Sequence, residues 1–265
     1  MFTINEKKGF VTHDRESLRS VPVPTVADLE GKTGGWVPTE RWKPIAHGAF
    51  VDQVVESAEM RGFDVESERW QTSADGFRLY GSIDFTKSSE GRHPQIDLPD
   101  GVGLALGIIH ANDGSRAATI AVGARVFVCS NGMITGEFVF SRKHTSGLDL
   151  GETVEGAIDR FATGAREIPK TIEDLRSIPL DSTRTTDHLL VSMGRRGVLP
   201  WSQIGKVEKE WREPRHPEFE PRNAWSFYNA TTEVAKGISI RKQAGVLVAT
   251  RELLLDPFYT SPERN

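Results

Sequence analysis

The hydrophobic periodicities of this chain predict an α+β fold, an antiparallel β-meander of about five strands preceded by one helix and packed against a C-terminal helical half. Three observations carry that prediction. Apolar residues recur at helical spacing over 47–61, at a period of two between Phe63 and Phe140, and at helical spacing again from Gly151 onward. Strands grouped first and helices second, without alternation, favour α+β over a doubly wound parallel sheet.

Residues 1–45 read as an extended N-terminal arm, and 46–265 as a single α+β domain with its sheet within 63–140 and its helical half within 151–256. Between Val21 and Pro44 the arm carries Pro22, Pro24, Pro38 and Pro44 with Gly31, Gly34 and Gly35, a composition for turns and a stiff strap with little regular structure. From His47 to Arg61, the positions Phe50, Val51, Val54, Val55 and Ala58 make one helical stripe, and Gly62 supplies the stop.

The period then changes to two. Phe63, Val65 and Trp70 lead to the turn residues Asp75 and Gly76, after which Phe77, Leu79, Gly81, Ile83 and Phe85 alternate with Arg78, Tyr80, Ser82 and Asp84, a hairpin pattern. A polar, proline-containing loop over Lys87–Gly101 separates it from further strands at Val102–His110, Ala117–Cys129 and Ile134–Phe140, with Asn112, Asp113 and Gly114 as a turn. Val154, Ile158, Phe161 and Ala165 then form a helical stripe that Pro169 should kink or end. More helices are expected at Asp187–Gly194, Pro200–Trp211, Asn223–Lys236 and Ala244–Leu255, with Glu213–Arg222 a connector.

With 37% hydrophobic and 26% charged residues over 265 positions, the chain can bury a core without a metal or disulfide staple. The single cysteine, Cys129, excludes an intrachain disulfide and any multi-cysteine metal site. No apolar run reaches the roughly 18 residues of a membrane span and the N-terminal stretch is too polar for a secretory signal, so a cytoplasmic location with no membrane partner is expected. The net charge of −4 argues against coating duplex DNA by bulk electrostatics. Locally the balance differs. Only Asp113 and Glu137 are acidic between Gly101 and Leu148, against Arg116, Arg125, Arg142 and Lys143, and no acid lies between Val234 and Arg251 beside Lys236, Arg241 and Lys242.

Four local patterns then stand out: Asn112-Asp113-Gly114-Ser115; Arg125 through Cys129, Ser130, Asn131 and Gly132; His144-Thr145 before the long helix; and Asn223-Ala224-Trp225 through Tyr228-Asn229-Ala230. In that order and separation they resemble the phage/plasmid-like family, also called domain of unknown function 932. The resemblance covers about Val102–Gly237, whereas the arm and first hairpin carry none of its patterns. It implies an origin in a phage, prophage or plasmid and a role in that element's life cycle, and it brings no catalytic residues with it.

Read chemically, Asp113, Cys129 and His144 are the types for a nucleophile, base and orienting carboxylate if they converge at one end of the sheet, with Asn131 beside them. His110, Asp113 and His144 could on the same condition hold a metal, though without tight ligand spacing. The plainer readings are a turn at Ser130 and Asn131 held by its own side chains, and Cys129 as a small buried hydrophobe. Trp225, Phe227 and Tyr228 are expected in the interface between the helices and the sheet, while Trp36, Trp42 and Trp70 could be exposed, and exposed rings beside cations stack on unpaired bases.

The function expected first is therefore that of a non-enzymatic mobile-element protein binding single-stranded DNA in replication or recombination. The order of helix, meander and helix resembles that of single-strand annealing proteins, and Arg116, Arg125, Arg142, Lys143, Lys236, Arg241 and Lys242 are the phosphate contacts, with a homo-oligomer adding avidity. The alternative is a protein-interaction or counter-defence factor binding a host or phage protein, and third a small hydrolase or nuclease using Asp113, Cys129 and His144. No cofactor is implied.

Overall fold

Six strands form one antiparallel sheet in sequence order: β1 (Phe10–His13), β2 (Val65–Ser73), β3 (Arg78–Phe85), β4 (Val102–Ala111), β5 (Ala118–Val126) and β6 (Gly132–Arg142). The computed structural model describes residues 10–29, 40, 42–86, 96–99, 101–126, 132–142, 149–238 and 240–260. Five of the strands are those of the predicted meander. The sixth, β1, comes from the arm and pairs with β2 from Phe10↔Ser73 to His13↔Trp70.

The arm also contributes two short helices, α1 (Arg15–Arg19) and α2 (Val26–Leu29), whose Leu18 and Leu29 are buried. Asp14 caps α1 by accepting from the Ser17 amide at 2.8 Å, so local capping chemistry, invisible to hydrophobic periodicity, builds structure there. α3 (His47–Met60) buries the predicted stripe of Phe50, Val51, Val54, Val55 and Ala58. Gly62 ends it with φ of 81°, a conformation that favours glycine, as the amides of Gly62 and Phe63 bond back to Glu59 and Ala58.

In β3 the apolar Leu79, Ile83 and Phe85 are fully buried, but so are Tyr80, Ser82 and Asp84 on the opposite face. Asp84 is held there by an ion pair with Arg69 and a 2.8 Å hydrogen bond from Ser67. Trp70, which from sequence could be exposed or packed in the core, is buried. Its indole lies across Gly81 of the neighbouring strand, where a Cβ would come within 2.1 Å of the ring. Of the other two arm-region tryptophans, Trp42 is half-buried and Trp36 lies outside the described residues.

The helical half runs through α4 (Leu150–Ala165), α5 (Ile168–Ser177), α6 (Thr183–Arg195), α7 (Trp201–Arg212), α8 (Ala224–Ala235), α9 (Ile240–Leu255) and the single turn α10 (Pro257–Thr260). Asp149 caps α4 through the Glu152 amide, and Val154, Ile158, Phe161 and Ala165 are buried where the helix crosses β5 and β6. Phe161 meets Phe63 and Phe85 at ring separations of 5.0 and 5.4 Å, joining the helical half to the sheet. α4 ends at Ala165, four residues before Pro169, as a proline there requires. Pro169 itself sits in the first turn of α5, where a missing amide hydrogen breaks no helical bond. The connector before α8 holds a 3-10 turn, Pro217–Phe219, that buries Phe219. Among the described residues, no helix is long and apolar enough to cross a membrane.

Candidate functional site

The end of the sheet where β3 begins and β4 finishes gathers the most chemistry. Asn112, buried immediately after β4, accepts the Ile45 amide on Oδ1 at 2.9 Å and donates from Nδ2 to the Ile45 carbonyl at 2.9 Å. Both backbone groups of the residue leading into α3 are thereby satisfied by one side chain. Asp113, also buried, accepts from Arg78 Nε at 2.5 Å and from the Ser115 amide at 3.0 Å, while Gly114 turns the chain with φ of 68°. The Asn112-Asp113-Gly114-Ser115 motif is therefore a clamp and a turn, and among the described residues Asp113 is partnered by Arg78 and Ser115.

Two residues before Asn112, on the core face, His110 Nδ1 lies 2.5 Å from Nδ1 of His47, the first residue of α3, and the His110 ring stacks on Phe50 at 4.9 Å. His47 Nε2 lies 2.8 Å from the Gly76 carbonyl in the β2–β3 turn. A carbonyl can only accept, so His47 Nε2 carries the hydrogen, its Nδ1 is bare, and His110 must donate from Nδ1. Burial lowers the His47 pKa to about 4 against the raising effect of the Gly76 bond, with His13 a further lowering influence. Both imidazoles are enclosed, so this is a joint between helix and sheet.

The remaining predicted residues spread out. Arg116 follows the motif, half-buried, with Nε withdrawn from solvent and without a hydrogen-bond partner. Arg142 closes β6 opposite Ala118, at the Arg116 end of the sheet, whereas Arg125 sits at the far end of β5 opposite Gly103 and Gly132. Cys129, Asn131, Lys143 and His144 lie outside the described residues. Their described flanks, Gly132 and Arg142, are the two ends of β6, about 34 Å apart at the rise of an extended strand. Lys236 is ion-paired with Glu233, Arg241 falls in the first turn of α9, and Lys242 is exposed. Among the described backbone positions, Arg116 and Arg142 lie toward one end of the sheet and Arg125 at the other, while Lys236, Arg241 and Lys242 lie on the helical half. Among the described residues, no group of three or more histidine, cysteine or acidic side chains is placed to hold a metal.

The C-terminal motif is core. Asn223 caps α8 through the Ser226 amide at 3.0 Å, Asn229 Nδ2 donates to the Trp225 carbonyl at 2.9 Å, and Trp225 and Tyr228 are buried in parallel orientation.

Residues 37–252 match the family described as Domain of unknown function (DUF932). The chain belongs to that family. The DUF932 match takes in α3 and the first hairpin, further toward the N-terminus than the motifs alone extend, so it includes the elements that the Asn112 turn and Gly76 tie to the start of α3. It leaves out β1, α1 and α2. No curated protein and no solved structure matches the chain.

Sequence reasoning missed His47, an isolated histidine in an apolar helical stripe, and it also missed a charged face on the helical half. A cleft of about 390 Å³ between α7 and the end of α8 is lined by Lys206, Lys209, Glu210, Arg215 and Glu233 among others. Arg215 bridges Glu210 and Glu233, and Lys206 and Lys209 are exposed with no ion pair among the described residues. At the head of α7, Trp201 is 59% exposed. Its position three residues before Ile204 makes it look like the start of the buried stripe of Ile204, Val207 and Trp211, so only the packing reveals it.

Proposed function

We propose that this DUF932 protein acts without catalysis as a single-stranded nucleic-acid binder in the replication or recombination of a phage or other mobile element, in the cytosol of its bacterial host. The observation that carries the reading is Arg116, whose buried Nε has no hydrogen-bond partner and whose guanidinium has no ion pair among the described residues. It lies toward the end of the sheet where Ala118 pairs with Arg142, whereas Arg78 is matched by Asp113. A partly desolvated cation without a counter-charge is most readily explained by an anion supplied from outside. The order of helix, antiparallel meander and helical half, like that of single-strand annealing proteins, supports the same reading at the level of fold analogy.

Fluorescence anisotropy of a labelled oligonucleotide over a salt series tests it. Affinity should fall steeply with salt, and Arg116→Ala should weaken binding and reduce the magnitude of the salt slope by about one. No binding at low ionic strength ends the proposal.

A second reading, docking of a host or phage protein, draws on the exposed apolar side chains Val191, Leu255 and Phe258 around His188, whose ring centroid is 5.8 Å from that of Phe258. A stoichiometric protein partner released by Phe258→Ser, with no oligonucleotide binding, would favour it.

A further inference from the structure

On α7, Ile204, Val207 and Trp211 form the buried stripe, with relative exposures of 8%, 0% and 4%. Trp201, at the head of the helix, lies off that stripe and is 59% exposed. It is nevertheless seated. A Cβ on Gly194 of α6 would come within 2.6 Å of Cη2 and Cζ3, so the indole rests directly on the glycine backbone and is held from one side. One turn along, Gly205 has no side chain, and the space its Cβ would face is open to at least 4 Å. A planar group laid beside the free part of the ring meets no side chain from Gly205.

The charges around this seat are unequal. Arg195 adjoins Gly194, and Lys206 and Lys209 lie on the outward side of α7; all three are exposed and form no ion pair among the described residues. The neighbouring acids are largely matched already. Arg212 contacts Glu208 and Asp187, and Arg215 contacts Glu210, while Glu213, past the end of the helix, has no ion pair among the described residues. An anchored, half-open indole amid uncompensated cations matches the way unpaired strands are held, by base stacking along a tracked phosphate backbone.

We propose that Trp201 is a stacking platform for an unpaired nucleobase, with Arg195, Lys206 and Lys209 taking the adjoining phosphates, a contact region separate from Arg116 at the sheet end. This rests on the nucleic-acid reading and adds to it the ligand class, single strands rather than duplex.

The test uses the full chain with labelled oligo-dT and a duplex of equal length, followed by anisotropy and by tryptophan emission. Because the chain has six tryptophans, the signal of Trp201 is the difference between the parent and Trp201→Phe. Oligo-dT should quench that difference signal and the duplex should not. Trp201→Ala should bind oligo-dT roughly five- to 150-fold more weakly, the range expected for one lost base stack, with an unchanged salt slope. Trp201→Phe should restore most of the loss, and Lys206→Ala and Lys209→Ala should each reduce the magnitude of the slope by about one.

Parent-like affinity in Trp201→Ala, with unaltered thermal unfolding, overturns the platform and leaves binding at the sheet end standing. Failure of the parent to bind any oligonucleotide overturns both. If Trp201→Ala instead dissociates an oligomer in sedimentation while oligo-dT affinity is unchanged, the face joins copies of the chain and the platform is overturned.

Discussion

His47 and His110 face each other through their Nδ1 atoms at 2.5 Å, with the two rings nearly perpendicular at 84°, where α3 meets the end of β4. Because Nε2 of His47 donates to the Gly76 carbonyl, the contact needs a neutral His47: a second proton would set N–H against N–H inside the core. Among the described residues, the ionisable group that acts on His47 is His13 of β1, which lowers its pKa further.

Stability should therefore fall with acid in a defined window. The folded-state pKa of His47 is depressed to about 4 from 6.5, so its contribution is complete above pH 6.5 and is lost progressively as pH drops toward 4. Between pH 7 and pH 5 the loss should be about 2 kcal/mol in urea unfolding. His47→Gln should flatten that dependence; equal slopes for variant and parent would show that the pair does not titrate as described.

Asn112→Ala should cost about 2 to 3 kcal/mol, since both backbone groups of Ile45 lose their partner in a half-buried setting. Asn112→Asp, keeping the acceptor and losing the donor, should fall between the two. Denaturant midpoints rank the three proteins.

The Arg78–Asp113 pair should respond asymmetrically. Asp113's side chain is 2% exposed and that of Arg78 is 35% exposed. Arg78→Ala leaves a buried carboxylate without its cation and should cost about 3 kcal/mol, more than Asp113→Ala. A double-mutant cycle checks this, and coupling near zero would mean that the pair is incidental.

Gly81→Ala should destabilise by about 3 kcal/mol or more, because the added methyl falls inside the Trp70 ring and the core between β2 and β3 cannot yield without moving the indole. Thermal unfolding reads the effect. A shift of under a degree would refute the close packing of this ring on its neighbour strand.

Much of the architecture was legible because local patterns have local causes. Phe50, Val54 and Ala58 specify a helical face whatever lies opposite, and Asp75-Gly76 and Asn112-Asp113-Gly114 are turns by their own chemistry. Pro169 marks a helix boundary in the sequence, but only the structure shows that a new helix, α5, starts beside it. β1 escaped notice because four residues of edge strand acquire their meaning from β2.

From sequence alone this protein was determined to be a meander followed by helices, and its family motifs were placed in order along the chain. What tertiary structure alone decided is the use of each polar residue. Asn112 and Asp113 serve a clamp, Asn229 lies within the core, the ends of β6 stand far apart, and Trp201 is turned out onto the surface. The physical reason is range. Periodicity and turn chemistry act within a few residues, whereas a hydrogen-bond partner 67 positions away, as Ile45 is from Asn112, exists only once the chain has folded.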